Sequence, residues 1–311
     1  MPPLVYEALE TDWKASFSEE RQKESLHRLE EGFVILFPRL NFTLSEEEKE
    51  FLSPHVVGKS KNVCYNIANR QIGGTILKEN AGSRLGRLMH RFADHTRHLL
   101  HNLLPKYQGC LKQGRTSFRP VEVAGRVTSW RKDDTRLHVD CFPSTPLQGK
   151  RIIRVFSNVN PEGCPRSWRV GEPFPDVVAR FFPKLKAPIF GTPTLLHLLR
   201  VTKAKRSEYD HYMLQLHDQM KQDLEYQKNV QQSTLHFPAG GTWVVYTDQV
   251  SHAATAGQFQ FEQTFYLPVS AMERPETSPL KILERMAGRD LVRGIATTRY
   301  VESPIAKFLY K

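Results

Sequence analysis

A histidine and an aspartate stand two residues apart in "TRLHVDCF", residues 135–142. On an extended chain, residues i and i+2 share a face. His138 and Asp140 then point one way, and Leu137, Val139 and Cys141 the other. Burying a carboxylate without a partner is costly, so the pair asks for a third group or a cation between them. A second histidine follows the glycine-rich turn in "PAGGTWVVYTDQVSHAATAG", residues 238–257. His252 opens a strand pattern there, 112 residues after Asp140. Two imidazoles and one carboxylate on one face of a metal leave open coordination positions, the donor set of non-haem Fe(II) oxygenases. The triad His138, Asp140 and His252 is therefore the expected metal site.

A rival cluster lies in residues 83–104, where His90, Asp94, His95, His98 and His101 recur at helical spacing. Arg87, Arg91 and Arg97 accompany them and would repel a cation, so a solvated helix face is the expectation. His211 and His217, in a later helical stretch, are weaker candidates still. Asp248 is expected to cap the turn before His252 rather than touch a metal. Cys141 is expected in the core, opposite the ligands.

These residues need a frame to hold them. Residues 18–31 read as a helix opened by Ser18, and 43–52 as a shorter one capped by Thr43 or Ser45. The strongest helical signal is 83–104, with Leu85, Leu88, Met89, Phe92, Leu99, Leu100 and Leu103 on one stripe and Pro105 at its end. From about 117 the pattern turns to short strands separated by Gly, Pro and Asp. The expected fold is mainly β with flanking helices. Its core is a jelly-roll, double-stranded β-helix of the cupin-like kind, and helices pack on one outer face. The expected domain is single, 1–311. It comprises an N-terminal support (1–116), a jelly-roll core (117–270) with a helical insert at about 174–230, and a C-terminal tail (271–311).

The formal net charge is +11, which favours anionic partners without choosing among nucleic acid, acidic lipid and phosphorylated sugar. Four scattered cysteines without a CxxC argue against a zinc site or a disulfide framework. No apolar run reaches the ~18 residues of a membrane span, and the N-terminus lacks the pattern of a signal peptide. A cytoplasmic protein is expected. Residues 180–206 carry seven Lys or Arg and no acid, among Phe181, Phe182, Ile189, Phe190 and the leucines of 195–199. Basic plus apolar suits either a lid or a segment resting on an anionic membrane.

"RLHVDCF…RIIRVFSNVNP", followed by "FPAGGTWVVYTDQVSHAATAGQFQFEQTFYLP", resembles the 2-oxoglutarate-dependent Fe(II) dioxygenases. With "NPEGCPRSWRVGEPF" and "YNIANRQIGGT" it resembles, more narrowly, the bacterial hydroxylases of Kdo (3-deoxy-D-manno-oct-2-ulosonic acid) over roughly residues 30–280. The resemblance implies a double-stranded β-helix, with Fe(II), 2-oxoglutarate and O2 as cofactor and co-substrates. Ascorbate remains an open addition. It also implies hydroxylation of the outer Kdo of the lipopolysaccharide inner core (Kdo-lipid A) at carbon 3 to give Ko, on the cytoplasmic face of the inner membrane. No nucleic-acid partner is expected, and the oligomeric state is not legible.

Many members of the superfamily hold the distal carboxylate of 2-oxoglutarate with an arginine about ten residues after the second histidine. This chain departs from that pattern, since its next basic residue after His252 is Arg274. Arg154 in "RIIRVFSNV" is the expected substitute, with Thr264 as a supporting hydroxyl and Arg151 and Arg126 as fallbacks. Arg166, Trp168 and Arg169 are expected on a loop at the barrel mouth, where they could bind an acidic sugar. Competing readings are an oxygenase of the same fold acting on a protein or nucleic acid, a cupin-like metal-binding module without oxygenase activity, and a nucleic-acid binder argued from charge alone.

Overall fold

The structure is a computed structural model that describes residues 5–58, 60–189 and 192–292. Phe190 and residues 293–311, which enter two expectations above, lie outside it. The N-terminal part runs β1 (Val5–Glu7), α1 (Glu19–Glu30), β2 (Val34–Phe37), α2 (Glu46–Lys49), β3 (Val63–Asn66), β4 (Gln71–Gly73) and α3 (Glu79–Leu103). Next come β5 (Lys112–Arg119), β6 (Arg151–Asn158) and β7 (Arg166–Val170). The insert holds α4 (Phe174–Phe181), α5 (Thr192–Leu198), α6 (Glu208–Gln222) and α7 (Leu224–Asn229). The chain returns through β8 (Ser233–Phe237), β9 (Thr242–Tyr246), β10 (His252–Ala256) and β11 (Gln260–Leu267) to α8 (Pro279–Ala287).

Local chemistry explains the helix ends. Ser18 caps α1 by accepting from the Arg21 amide, and Ser45 forms a reciprocal capping box with Glu48 on α2. On α3, every apolar residue of the predicted stripe is buried. The helix starts four residues before the predicted boundary, behind Lys78, whose side chain makes no cap.

The strands form two sheets. The larger has the order β1-β2-β9-β6-β11-β5-β3-β4 and the smaller β10-β7-β8. All pairs are antiparallel except β1 with β2. The two sheets make the expected double-stranded β-helix. The period of two splits the side chains of β6 between its faces. Ile153 and Val155 join the outer core with α1 and α3, whereas Phe156 joins the inner one. That inner core is an aromatic plug between the sheets: Trp243 stacks on Phe237 and Phe156, and Trp168 meets all three edge-on.

Two local expectations need correction. The segment holding His138 and Asp140 is extended but is not a regular strand. It joins β10 through a single bridge, His138 with His252, whose amides and carbonyls exchange bonds of 3.0 and 2.9 Å. Asp140 then turns its amide to the Thr247 carbonyl. Arg166, Trp168 and Arg169 lie on β7, the middle strand of the small sheet, and not on a loop. The Gly and Pro residues just before them suggest a loop, but β7 is paired on both edges.

Candidate metal centre

The bridge between His138 and His252 carries the two imidazoles to one spot. Their ring centroids are 4.7 Å apart. His138, Asp140 and His252 each offer a ligand atom, and these atoms lie within 4.8 Å of one another. Each imidazole is oriented by its own backbone. Nδ1 of His138 donates to the Arg136 carbonyl at 2.7 Å, and Nδ1 of His252 to that of Val250 at 2.8 Å. That fixes the tautomer and leaves each Nε2 lone pair free, the arrangement expected of a metal-ligating histidine.

The electrostatics favour the binding-competent forms. Burial pushes the His138 imidazole well below its ordinary value, and Lys221, His252 and His217 add to the effect. Burial also lowers His252, despite Asp140 beside it. Burial alone would raise the Asp140 carboxyl. The Arg154 guanidinium outweighs it and holds the group below the usual carboxylate range. The site is thus two neutral imidazoles and one carboxylate, and this donor set fits a divalent iron.

A cavity of about 260 Å3 opens on the triad. Arg154 faces it from β6, with Thr264 its direct cross-strand partner on β11. The Arg154 guanidinium reaches Asp140 at 3.2 Å and Glu262 at 2.9 Å, while its buried Nε has no partner. Arg151, one of the two fallbacks, is fully buried elsewhere and locked onto Asp248, at 2.7 and 3.3 Å, and Gln249. It stands three positions from Arg154 on the strand, hence on the opposite face. Asp248 accordingly pairs with Arg151 and stays away from the triad. Arg126, the other fallback, donates to the carbonyls of Val121 and Glu122 outside the cavity.

Trp168 stacks on His252 at 4.8 Å and backs the ligand. Arg166 reaches the cavity wall, where burial pulls its guanidinium down to about 10. Its Nη1 donates to the Gly257 carbonyl at 2.6 Å. Gly257 has a φ of +114°, and a Cβ there would lie 2.8 Å from Arg166 Cδ, so only glycine fits. Arg169 turns away and donates to Thr135. Cys141 packs against the core but also lines the cavity, because the chain leaves strand geometry after Asp140. Burial keeps its thiol well above the ordinary value.

The rival cluster on α3 is occupied with structure. His90 bonds Tyr65 and faces Asp94, which also pairs with Arg97. His95 donates to the Arg91 carbonyl and packs edge-on against Trp13 and Phe42. Among the described residues, the triad is the one group of His, Cys, Asp and Glu assembled for a metal. The four cysteines are free thiols.

Sequence reasoning missed several cavity residues. Glu262 stands ten residues after His252, about where the pattern noted above for many members of the superfamily would put arginine. It accepts from Arg154 and also from Arg119 Nε at 2.9 Å. Arg119 in turn faces Asp134, which holds Lys61 at 2.7 Å. His217 and Lys221 enter from α6 of the insert. The alternation of Gln260, Glu262 and Thr264 was a usable signal for Glu262. No local signal says that α6 crosses the cavity.

A double-stranded β-helix that brings two imidazoles and a carboxylate together inside the barrel is the architecture of the 2-oxoglutarate-dependent Fe(II) dioxygenases. Comparison with known proteins narrows the class. The family model for 3-deoxy-D-manno-oct-2-ulosonic acid (Kdo) hydroxylase matches residues 12–290, and the chain belongs to that family. Solved structures of the Kdo hydroxylase KdoO, a non-haem Fe(II) α-ketoglutarate-dependent dioxygenase, are similar over nearly the whole length. Its cobalt(II) complex is 50% identical over 94% of this chain and 99% of that one, with a TM-score of 0.92. Its complex with α-ketoglutarate and Fe(III) is 50% identical over 93% and 97%, with a TM-score of 0.90. Its complex with succinate and Fe(III) is 49% identical over 94% and 99%, at 0.91. No curated protein matches the chain.

Proposed function

We propose that this chain is an Fe(II)- and 2-oxoglutarate-dependent hydroxylase of Kdo, acting at carbon 3 of the outer Kdo of Kdo-lipid A. The observation that carries the reading is the convergence of His138, Asp140 and His252 within 4.8 Å at the cavity. Those three residues would hold the iron. Bound there with 2-oxoglutarate and O2, it supplies the hydroxylation: one oxygen atom enters a sugar C–H bond, the other goes to succinate, and CO2 leaves.

The protein contributes placement. Arg154 would take the distal carboxylate of 2-oxoglutarate, for which its unpartnered Nε is available, and Thr264 lies beside it. Glu262 keeps the Arg154 guanidinium in position, and Trp168 walls the site behind His252. Arg166, on the same wall, adds positive charge toward an acidic sugar. Among the described residues, seven cations and three carboxylates line the cavity, which suits anionic co-substrate and substrate together.

The chain acts as one catalytic domain, and the insert brings it to the membrane that holds its substrate. No helix among the described residues is long and apolar enough to cross a bilayer. In the basic segment, Ile189, Leu198, Leu199 and Val201 are exposed beside Lys186, Lys203 and Lys205. The segment is tied to the rim of the cavity, with the Lys203 amide on the Ser144 carbonyl and Arg206 on that of Pro143. Phe181 takes no part in this surface, being buried against Tyr226. Peripheral docking on the cytoplasmic face of the inner membrane is the reading these features support.

The deciding experiment is mass spectrometry of Kdo-lipid A incubated with the protein, Fe(II), 2-oxoglutarate and O2. One added oxygen atom on the sugar, with succinate formed in step, is the expected result. Both should be lost in His138→Ala and in His252→Ala. Succinate without sugar oxidation would mean a different substrate, and undiminished turnover in His252→Ala would remove the triad from the mechanism.

A further inference from the structure

We propose that Lys221 is the receptor for the carboxylate of the acidic sugar, so that α6 of the insert is the specificity element of the site. The inference rests on the Kdo reading above. Lys221 and His217 are four residues apart on α6 and so share one face of it. Both line the cavity, and the His217 ring meets that of His138 edge-on at 5.4 Å. The recognising helix therefore borders the reacting centre directly.

Lys221 is almost wholly buried. Its ammonium has three donor hydrogens, and the Arg131 carbonyl accepts one at 3.1 Å. Asp134 and Asp140 influence it through space, but among the described residues no carboxylate pairs with it. Four other cations of the cavity are already matched, Arg131 to Asp218 among them, and Lys132 is exposed to solvent rather than buried. Lys61 holds Asp134, while Arg119 and Arg154 share Glu262. Arg166 also lacks a carboxylate, but it is clamped beneath Gly257, whose carbonyl takes its Nη1.

A buried ammonium with donors to spare is expensive unless an anion arrives to meet it. The cost is visible in the direction of its titration, since burial pulls Lys221 below the ordinary lysine value. Of the anions the reaction needs, the distal carboxylate of 2-oxoglutarate is accounted for by Arg154 on the large sheet. The carboxylate of the ulosonic acid remains. A lysine from the insert meets it as a point charge, and the rest of the cavity that both cations line is left for the sugar ring.

The test is a binding measurement without turnover. Calorimetry on the cobalt(II)-loaded protein, without O2, compares the methyl glycoside of Kdo with the methyl ester of that glycoside. The parent protein should prefer the acid. In Lys221→Met the Kd for the acid should rise roughly 10- to 100-fold, the value of a hydrogen bond between charged groups, with that for the ester nearly unchanged. Lys221→Arg should keep part of the preference, and the Kd for 2-oxoglutarate should stay as in the parent. Equal weakening of acid and ester would make Lys221 a packing residue and overturn the proposal. So would a rise confined to 2-oxoglutarate, which would make it a co-substrate ligand. A parent that binds neither glycoside overturns the Kdo reading, and the assignment with it. If Lys221→Met does not fold, Lys221→Gln gives the same comparison.

Discussion

Arg154 shows how much one side chain depends on its neighbours. Glu262 and Asp140 both grip it, and its remaining Nε is unpartnered. Arg154→Ala should raise the KM for 2-oxoglutarate far more than that for the sugar, because losing a charge-assisted contact to an enclosed carboxylate costs about 2–5 kcal/mol. Steady-state kinetics with each substrate varied will show the split. An unchanged KM for 2-oxoglutarate would move the role to Arg119, the other guanidinium on Glu262. The imidazoles make a separate prediction. Burial depresses both His138 and His252, so between their folded values and about 6.5 the unfolded chain binds protons that the native one does not. The stability they contribute is present above about pH 6.5 and lost as the pH falls toward their folded values. Thermal melts of the metal-free protein should therefore fall across that window, and less steeply in a His138→Asn, His252→Asn double variant. At this scale the sequence was most legible where chemistry is local. Residues 138 and 140 declare themselves by spacing, and 252 by its glycine-rich turn. Arg119 and Lys221 were invisible because their meaning comes from strand register and from a helix crossing the cavity.

The elements were legible where periodicity is strong and obscure where pairing decides. The stripe on α3 reads off directly and is buried as expected. Arg166, Trp168 and Arg169 read as loop residues, yet they lie on the central strand of the small sheet. The stretch around His138 reads as a strand, yet a single bridge holds it, because the chain must turn at Asp140 to reach Thr247. The insert carries its own prediction. Lys186, Lys203 and Lys205 are exposed, while Arg206 is engaged with the Pro143 carbonyl, so charge reversal belongs on the three lysines. Each cation near an anionic surface contributes about 1 kcal/mol. The triple glutamate variant should leave anionic liposomes and slow turnover of embedded substrate, while sparing a detergent-dispersed one. Raised salt should do the same to the parent, since exposed charges beyond about 10 Å are screened at 0.1 M. Liposome sedimentation equal to that of the parent would leave the segment as a solvated lid.

On the scale of the whole molecule, the metal centre ties distant stretches of chain together: the triad alone draws on residues 138, 140 and 252. A ligand that binds only the folded state stabilises it with the logarithm of its excess over Kd, by about 2.7 kcal/mol at a hundredfold. Cobalt(II) should thus raise the melting temperature of the parent, a chelator should reverse it, and His252→Ala should show neither shift. The placement of α6 has a different consequence. The oxidising apparatus comes from the two sheets and the extended stretch bridged to β10, whereas His217 and Lys221 come from a stretch spliced between β7 and β8. Reaction and preference thus have separate addresses in the gene. A lineage could rewrite the second, by substitution or exchange within one insert, and inherit the first untouched.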